Sequence, residues 1–172
     1  MTESIDTGAV QRITGVPATT LNVWISRQLI PGVEGSTQGK TRFFNLDLVT
    51  HIAITAALVK LGYGAAFSSM AASEARSKGV DRPGARLIIG PPRRTAYGIG
   101  RTATIDFFQA RTASALDKYL DTFIDGRPEA FTVIELDRIA ERVRRAFEEP
   151  DMLERARRHR GNAERRSARE TV

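Results

Sequence analysis

A set of hydrogen-bonding side chains lies opposite an apolar stripe near the N-terminus. The stripe falls at positions i, i+3, i+4 and i+8 and predicts an amphipathic helix formed by Leu21, Trp24, Ile25 and Leu29. The other side of this helix carries mostly small or hydrogen-bonding groups, namely Thr19, Thr20, Asn22, Val23, Ser26 and Arg27. Such groups can approach base edges and phosphates closely, so the helix is a candidate for contact with nucleic acid.

A basic, glycine-containing stretch follows this helix. The run GVEGSTQGKTRFF predicts a two-stranded hairpin, with Gly35 and Gly39 at its tip and with Lys40 and Arg42 along it. A guanidinium on a hairpin can form a charge-assisted hydrogen bond to phosphate, and Asn22 can bind adenine through two hydrogen bonds. The alternative is that both basic side chains belong to a solvated loop.

Two short helices and a turn must position these groups. Thr7 is the predicted N-cap of a first helix, whose apolar side is formed by Ala9, Val10 and Ile13. Gly15 supplies the turn, and Pro17 fits the first turn of the second helix, where its missing N–H costs nothing. Pro31-Gly32 ends that helix.

Two further helices are predicted next. Asn45 or Asp47 can cap a third helix that ends at Gly62 and has its apolar positions at Leu48, Ile52, Ala56 and Val59. The stretch AAFSSMAASEARS predicts a fourth helix with Phe67 and Met70 turned inward.

A change of pattern at residues 79–85 indicates a domain boundary. Beyond it, β-type runs lie at 86–89, 103–108 and 131–134, and helical spacing occurs at 113–124 and 135–149. The last helix has an Arg-rich outer side, and Tyr97-Gly98-Ile99-Gly100 predicts a bend or bulge. Residues 79–150 are therefore expected to form a small α/β unit that mediates self-association or binds an effector.

The charge of the chain is unevenly distributed. The 172 residues carry a net charge of +6, and residues 151–172 contribute seven arginines and four acids, a net +3. This basic balance suits a polyanionic partner. The low hydrophobicity of residues 151–172 predicts a flexible tail that either adds phosphate contacts or only aids solubility.

Other chemistries find little support in the residues. There is no cysteine, which excludes disulfides, thiolate-ligated metals and thiol-based sensing. His51 is expected on the polar side of the third helix and His159 in the tail, and neither has a second histidine or a placed carboxylate. Asp117, Asp121 and Asp125 predict a solvated helix face. We therefore expect no enzymatic activity, cofactor or metal site.

Residues 7–77 resemble the MerR family of winged helix-turn-helix proteins and, more broadly, phage excisionases. The resemblance rests on Gly15-Val16-Pro17 with Thr20-Leu21, then Leu29-Ile30-Pro31, then Thr41-Arg42-Phe43-Phe44, then Leu61-Gly62-Tyr63. It implies a second helix in the major groove and a wing on the adjacent backbone or minor groove, with DNA contacts from Thr19, Thr20, Asn22, Val23, Arg27, Lys40 and Arg42.

Three departures from the family pattern affect what the resemblance implies. Asn22 and Val23 replace the usual Arg and Tyr, so the family's base preference is not carried over. Gln28 stands where the family commonly has glycine. Pro83, Pro91 and Pro92 interrupt the span in which members have a dimerising helix, which makes a coiled coil implausible there.

The sequence thus predicts an α+β fold with three parts. Residues 1–78 are expected to form a winged helix-turn-helix that is mainly helical with a β-hairpin wing, residues 79–150 the α/β unit, and residues 151–172 the basic tail. No signal peptide or membrane span is expected, and the predicted location is the cytoplasm.

The expected function is sequence-specific binding of double-stranded DNA by a transcription regulator of a bacterium or phage, acting as a homodimer. An alternative is an architectural DNA-binding factor similar to an excisionase or a phage small-terminase subunit. A small-molecule effector is unknown: Tyr97, Phe107, Phe108 and Phe123 are either pocket walls or core residues.

Overall fold

The structure is a computed structural model, and it describes residues 4–33, 42–90, 94–95, 98–99, 104–109, 118 and 131–148. Within these residues the fold is mixed helix and sheet, with five helices of defined bounds and antiparallel strand pairs. The predicted α+β class agrees with this arrangement.

Strand β1 (Ser4–Asp6) leads directly into helix α1 (Thr7–Thr14). The predicted cap at Thr7 is wrong by one residue, because the side chain of Asp6 accepts a hydrogen bond from the Ala9 N–H at 2.7 Å. A carboxylate is well suited to this position, where it satisfies a free N–H and faces the positive end of the helix dipole. The helix ends at Gly15, whose φ of 72° is left-handed and favours glycine.

Helices α2 (Ala18–Ser26) and α3 (Leu46–Lys60) form where apolar spacing predicts helices. The predicted end of α2 at Pro31-Gly32 is wrong, because the helix ends at Ser26 and Leu29 lies in the turn that follows. Pro17 lies at the N-cap of α2, immediately before the helix. Of the two candidate caps of α3, Asn45 is the one used, since its side chain accepts from the Leu48 N–H at 2.9 Å.

Helix α3 is the centre of the core. Every residue from 49 to 56 is buried, so this helix has no polar side along that stretch. It packs against α1 and against α4 (Ala65–Ser77), and several of its side chains are fully buried, among them Val49, Ile52, Ile54 and Leu58. Burying a side chain of this size contributes about 1.5–3 kcal/mol relative to exposure.

Helix α4 has the predicted bounds but a different inward face. The predicted burial of Met70 is wrong, since that side chain is 56% exposed, and Phe67 is half-buried against Tyr63 with 5.4 Å between ring centroids. The buried face consists instead of small residues: Ser68, Ser69, Ala71, Ala72 and Ala75. Small side chains let α4 lie close to α3, so the interface has no room for Met70.

Strand β2 (Phe43–Asn45) pairs with the N-terminal strand β1 in an antiparallel register that sets Phe44 opposite Ile5. The sequence gives no indication of this pairing. The tip of the predicted hairpin, with Gly35, Gly39 and Lys40, lies outside the described residues.

The strands predicted beyond residue 85 form one antiparallel sheet. Strand β3 (Ala85–Gly90) is its centre. Strands β4 (Arg94–Thr95) and β5 (Gly98–Ile99) pair with each other near the predicted bend, in a separate two-stranded sheet. Strands β6 (Thr104–Gln109) and β7 (Thr132–Glu135) lie on either side of β3. The three predicted β-type runs are thus confirmed.

Helix α5 (Leu136–Glu148) follows β7 and packs against β3 and α3. Its buried side chains fall at the helical spacing predicted for residues 135–149: Leu136, Ile139, Ala140, Val143 and Phe147. Buried apolar residues on both sides of the predicted boundary belong to one core. A polar contact also joins the two sides, since the Tyr63 hydroxyl lies 2.7 Å from Thr132 Oγ1. The division of the chain at residues 78 and 79 stays a prediction.

Several predictions fall on residues outside the described part: the helix at 113–124, the ridge Asp117, Asp121 and Asp125, and the tail at 151–172. Tyr97 and Phe123 lie there too, whereas Phe107 and Phe108 are described only as backbone of β6. Among the described helices, none combines the length and apolar character needed to cross a bilayer.

Candidate nucleic-acid interface

Helix α2 separates its apolar and hydrogen-bonding residues as the sequence predicts. Leu21, Trp24 and Ile25 are buried in the core. Thr20 is half-buried, and the outward residues are exposed: Thr19, Asn22, Val23, Ser26 and Arg27. The candidate residues on α2 therefore lie together on one accessible surface, which we call the α2 face.

The end of α2 is fixed by a tight reverse turn. The Leu29 N–H donates to the Trp24 carbonyl and the Gln28 N–H to the Ile25 carbonyl, both at 2.9 Å. This is the Schellman pattern, in which the residue after the C-cap adopts a left-handed conformation. That residue is Gln28, with φ of 57°, so the chain places a non-glycine side chain where glycine is least strained.

A buried polar cluster holds the same turn from the inside. The Leu29 carbonyl accepts hydrogen bonds from His51 Nε2 at 3.1 Å and from the Ser69 hydroxyl. These two side chains come from α3 and α4, so both core helices are tied to the C-terminal end of α2.

The expected exposure of His51 is wrong. Its side chain is fully buried, because α3 is surrounded on all sides at this level. Burial lowers the pKa of His51 from its ordinary value of 6.5, and the hydrogen bond to the Leu29 carbonyl opposes that shift in part. The ring is therefore neutral near pH 7, and Nδ1 has no partner among the described residues.

Arg42 connects the base of the predicted wing to the α2 face. Its Nη1 donates a hydrogen bond to Asn22 Oδ1 at 2.5 Å, across twenty positions of sequence. The alignment of β2 with β1 fixes the chain just after Arg42, and the burial of Trp24 and Ile25 fixes the outward direction of Asn22. The structure thus brings together two of the predicted contact residues, while Lys40 lies outside the described residues.

The sequence on either side of this contact has few acidic residues, and the nearest in the described strands is Asp6, which lies opposite Phe43 in the β1–β2 pair. Residues 7–33 and 42–46 include neither Asp nor Glu, and they contain Arg12, Arg27 and Arg42. Within the described part of the chain, none of these arginines forms an ion pair with a carboxylate. The α2 face itself therefore carries Arg27 and no acidic residue.

Phe43 is a further candidate for contact with nucleic acid, and the residue types alone do not identify it. It is 64% exposed, whereas the adjacent Phe44 is fully buried. Alternation along strand β2 explains the difference, because successive side chains point to opposite sides. The two-residue period could have identified Phe43, which lies next to Arg42, as an outward-facing aromatic residue.

No group of three or more His, Cys, Asp or Glu side chains in the described part of the chain is arranged to hold a metal ion. No protein-family model matches the chain, and no curated protein matches it. The function is therefore argued from the geometry of the α2 face.

Proposed function

We propose that this protein binds double-stranded DNA in a sequence-specific manner and regulates transcription in a bacterium or its phage. The observation that carries the proposal is the contact between Arg42 and Asn22 on the acid-free α2 face. In the proposed complex, α2 lies in the major groove and the segment around Arg42 follows the adjacent backbone as a wing.

The charge and size of the exposed groups support this proposal. Side chains on the outer side of α2 are short, so the helix backbone can come close to the floor of the groove. Arg27 is exposed at the end of the helix, where it can neutralise a phosphate, and Arg42 adds a second positive charge next to Asn22. Hydrogen-bonding groups at Thr19 and Asn22 are available for base edges.

We further propose that the protein acts as a homodimer. Helix-turn-helix DNA-binding domains usually recognise two half-sites one helical turn apart, and a single α2 covers one half-site. Residues 79–150 are the proposed source of the dimer contacts. Sedimentation of the full chain should show a dimer, and a strict monomer at high concentration would contradict this part of the proposal.

The primary test is a titration of labelled duplex fragments with the full chain at several salt concentrations. The expected result is binding whose affinity falls steeply with salt, with a log-log slope of about −0.9 per neutralised phosphate. Asn22→Ala and Arg42→Ala should both weaken binding, and mapping of bound sites on the genome should place them at promoters.

The matched control is Arg145→Ala, which removes an exposed arginine from α5, on a different helix. It should leave the affinity unchanged. The proposal would be abandoned if the chain showed no salt-sensitive binding of any fragment and if the two α2-face variants behaved like this control.

A further inference from the structure

The hydrogen bond between Arg42 and Asn22 determines which way the Asn22 carboxamide faces. A guanidinium has only N–H donors, so the group that it contacts must be the amide oxygen. That oxygen is Oδ1, 2.5 Å from Arg42 Nη1. The amide nitrogen, with its two N–H donors, points away from the arginine and belongs to an exposed residue.

The pair therefore presents donors and a positive charge, with little acceptor character. A free asparagine matches adenine, because it accepts from the 6-amino group and donates to N7. In this structure the Asn22 oxygen already accepts from a cation, so an incoming amino group would bring its hydrogens towards the Arg42 N–H groups. Residues 18–27 and 42–46 contain no carboxylate, and Arg42 forms no ion pair within the described part of the chain.

Guanine is the base whose major-groove edge suits such a pair. It presents two acceptors, N7 and O6, whereas adenine and cytosine each present an amino donor, and thymine has one acceptor and a methyl group. We propose that Asn22 and Arg42 act as one composite hydrogen-bond donor that selects guanine in the major groove. This inference rests on the proposed function, because it concerns the base preference of the same surface.

The proposal makes the base preference depend on a residue outside the reading helix. When Arg42 is removed, the Asn22 oxygen is released and the side chain regains the donor and acceptor pattern that suits adenine. Arg42→Ala should therefore exchange the preferred base at one position of each half-site from guanine to adenine, in addition to weakening the binding of all sequences. We expect the ratio of guanine to adenine at this position to change about tenfold or more, since a good bidentate contact discriminates on the order of 1–3 kcal/mol.

The test is selection of bound sequences from a random duplex library by the full-length wild type, by Arg42→Ala and by Arg142→Ala. Arg142 is an exposed arginine on α5 and serves as the matched control. The expected outcome is a guanine position in the wild type that becomes adenine in Arg42→Ala and stays guanine in Arg142→Ala. Because Arg42 is half-buried, Asn22→Ala provides a second variant at an exposed position, and it should lose the guanine preference without gaining one for adenine.

Two results would overturn the inference alone. One is selective binding by the wild type with adenine at the position that Asn22→Ala affects. The other is an unchanged base preference in both Arg42→Ala and Asn22→Ala. If the wild type enriched no sequence and bound no duplex in a salt-dependent manner, both the inference and the proposed function would fail.

Discussion

The outer faces of α2 and α5 carry their charge in opposite ways. The α2 face has few basic residues and no acidic ones, whereas α5 has four arginines against three acids: Asp137, Glu141 and Glu148. On α5 the charges compensate one another, since Arg144 and Arg145 both pair with Glu141, at 3.0 and 2.8 Å. Arg138 likewise pairs with Glu135 at the end of β7, at 2.7 Å.

This difference shows that the number of arginines is a poor guide to a nucleic-acid surface. Pairs three or four positions apart on a helix stabilise it by only a few tenths of a kcal/mol, but they cancel the field that would attract a phosphate. Arg42 instead donates its hydrogen bond to a neutral amide, so its positive charge remains available to attract a phosphate. The Arg-rich helix is the more conspicuous feature of the sequence, and the sparse α2 face is the better candidate.

The substitution with the largest expected effect is Val23→Asp, which places a carboxylate in the middle of the α2 face. Val23 is 45% exposed, so the fold should tolerate the change. An acid facing phosphates and base edges costs several kcal/mol, and we expect affinity for duplex DNA to fall about 100-fold or more. Fluorescence anisotropy with a labelled duplex measures this loss.

Met70→Asp is the matched control for that experiment. Met70 is a comparably exposed apolar residue on a different helix, α4. We expect its affinity to equal that of the wild type. Equal losses for the two variants would show that the α2 face has no special role.

The second prediction compares one arginine from each face through the salt dependence of binding. Arg27→Ala should lower the magnitude of the log-log salt slope by about 0.9, because one phosphate contact is lost. Arg144→Ala should leave the slope unchanged, since that arginine is already paired with Glu141. Titrations at several salt concentrations give both slopes. A slope reduced by Arg144→Ala and not by Arg27→Ala would reverse the assignment of the two faces.

A third prediction concerns how the α2 face is held in place. The turn after α2 depends on the buried, neutral His51, whereas α5 is held by an amphipathic stripe. The pKa of His51 is lowered in the folded state, so as pH falls below about 6.5 the unfolded chain takes up a proton that the folded chain does not. Stability is then complete above the unfolded pKa and declines on acidification, by at most about 1.4 kcal/mol per pH unit from this group.

Chemical denaturation from pH 7.5 down to pH 5 measures this decline, and His51→Gln is the informative variant. A glutamine amide can still donate to the Leu29 carbonyl but does not titrate in this range. The pH dependence of its stability should be flatter than that of the wild type. If the two profiles were parallel, protonation of His51 would not be the cause of the acid sensitivity.

The sequence predicts burial, caps and strands correctly where the residues of one helix or strand determine them. The burial of Leu21, Trp24 and Ile25 on α2, the cap at Asn45 and the β-type run of β3 each depend on local spacing, and each agrees with the structure. The predicted exposure of His51 and the predicted burial of Met70 are wrong because neighbouring helices determine both. α3 is enclosed on every side, and α4 packs through small residues.

Contacts between distant segments had no signal in the sequence. The pairing of β1 with β2 and the bond between Arg42 and Asn22 both join residues far apart in the chain. A contact between an arginine and an asparagine twenty residues apart has no periodicity to reveal it. The shared exposure of the candidate residues on α2 was therefore predictable, whereas the orientation of the Asn22 amide was not.

The smallest expected effect concerns the strain at the end of α2. Gln28 has a left-handed φ of 57°, which costs a non-glycine residue about 1–2 kcal/mol. Glycine removes that cost but loses about 0.5–1 kcal/mol through the greater freedom of the unfolded chain. Gln28→Gly should therefore stabilise the fold by at most about 1.5 kcal/mol, measured as the free energy of unfolding in urea, with DNA affinity unchanged.

The reverse substitution at the equivalent position of α3 provides the control. Gly62 follows the C-cap of α3 with φ of 94°, and a Cβ added there would meet no atom within 4 Å. Gly62→Ala therefore tests the conformational cost without a steric clash, and it should destabilise the fold by about 1 kcal/mol. If Gly62→Ala were destabilising while Gln28→Gly gave no gain, the Gln28 side chain must make compensating interactions that hold the α2 face in position. Its truncation would then lower DNA affinity, because the end of α2 and the exposed Arg27 beside it would be less firmly placed.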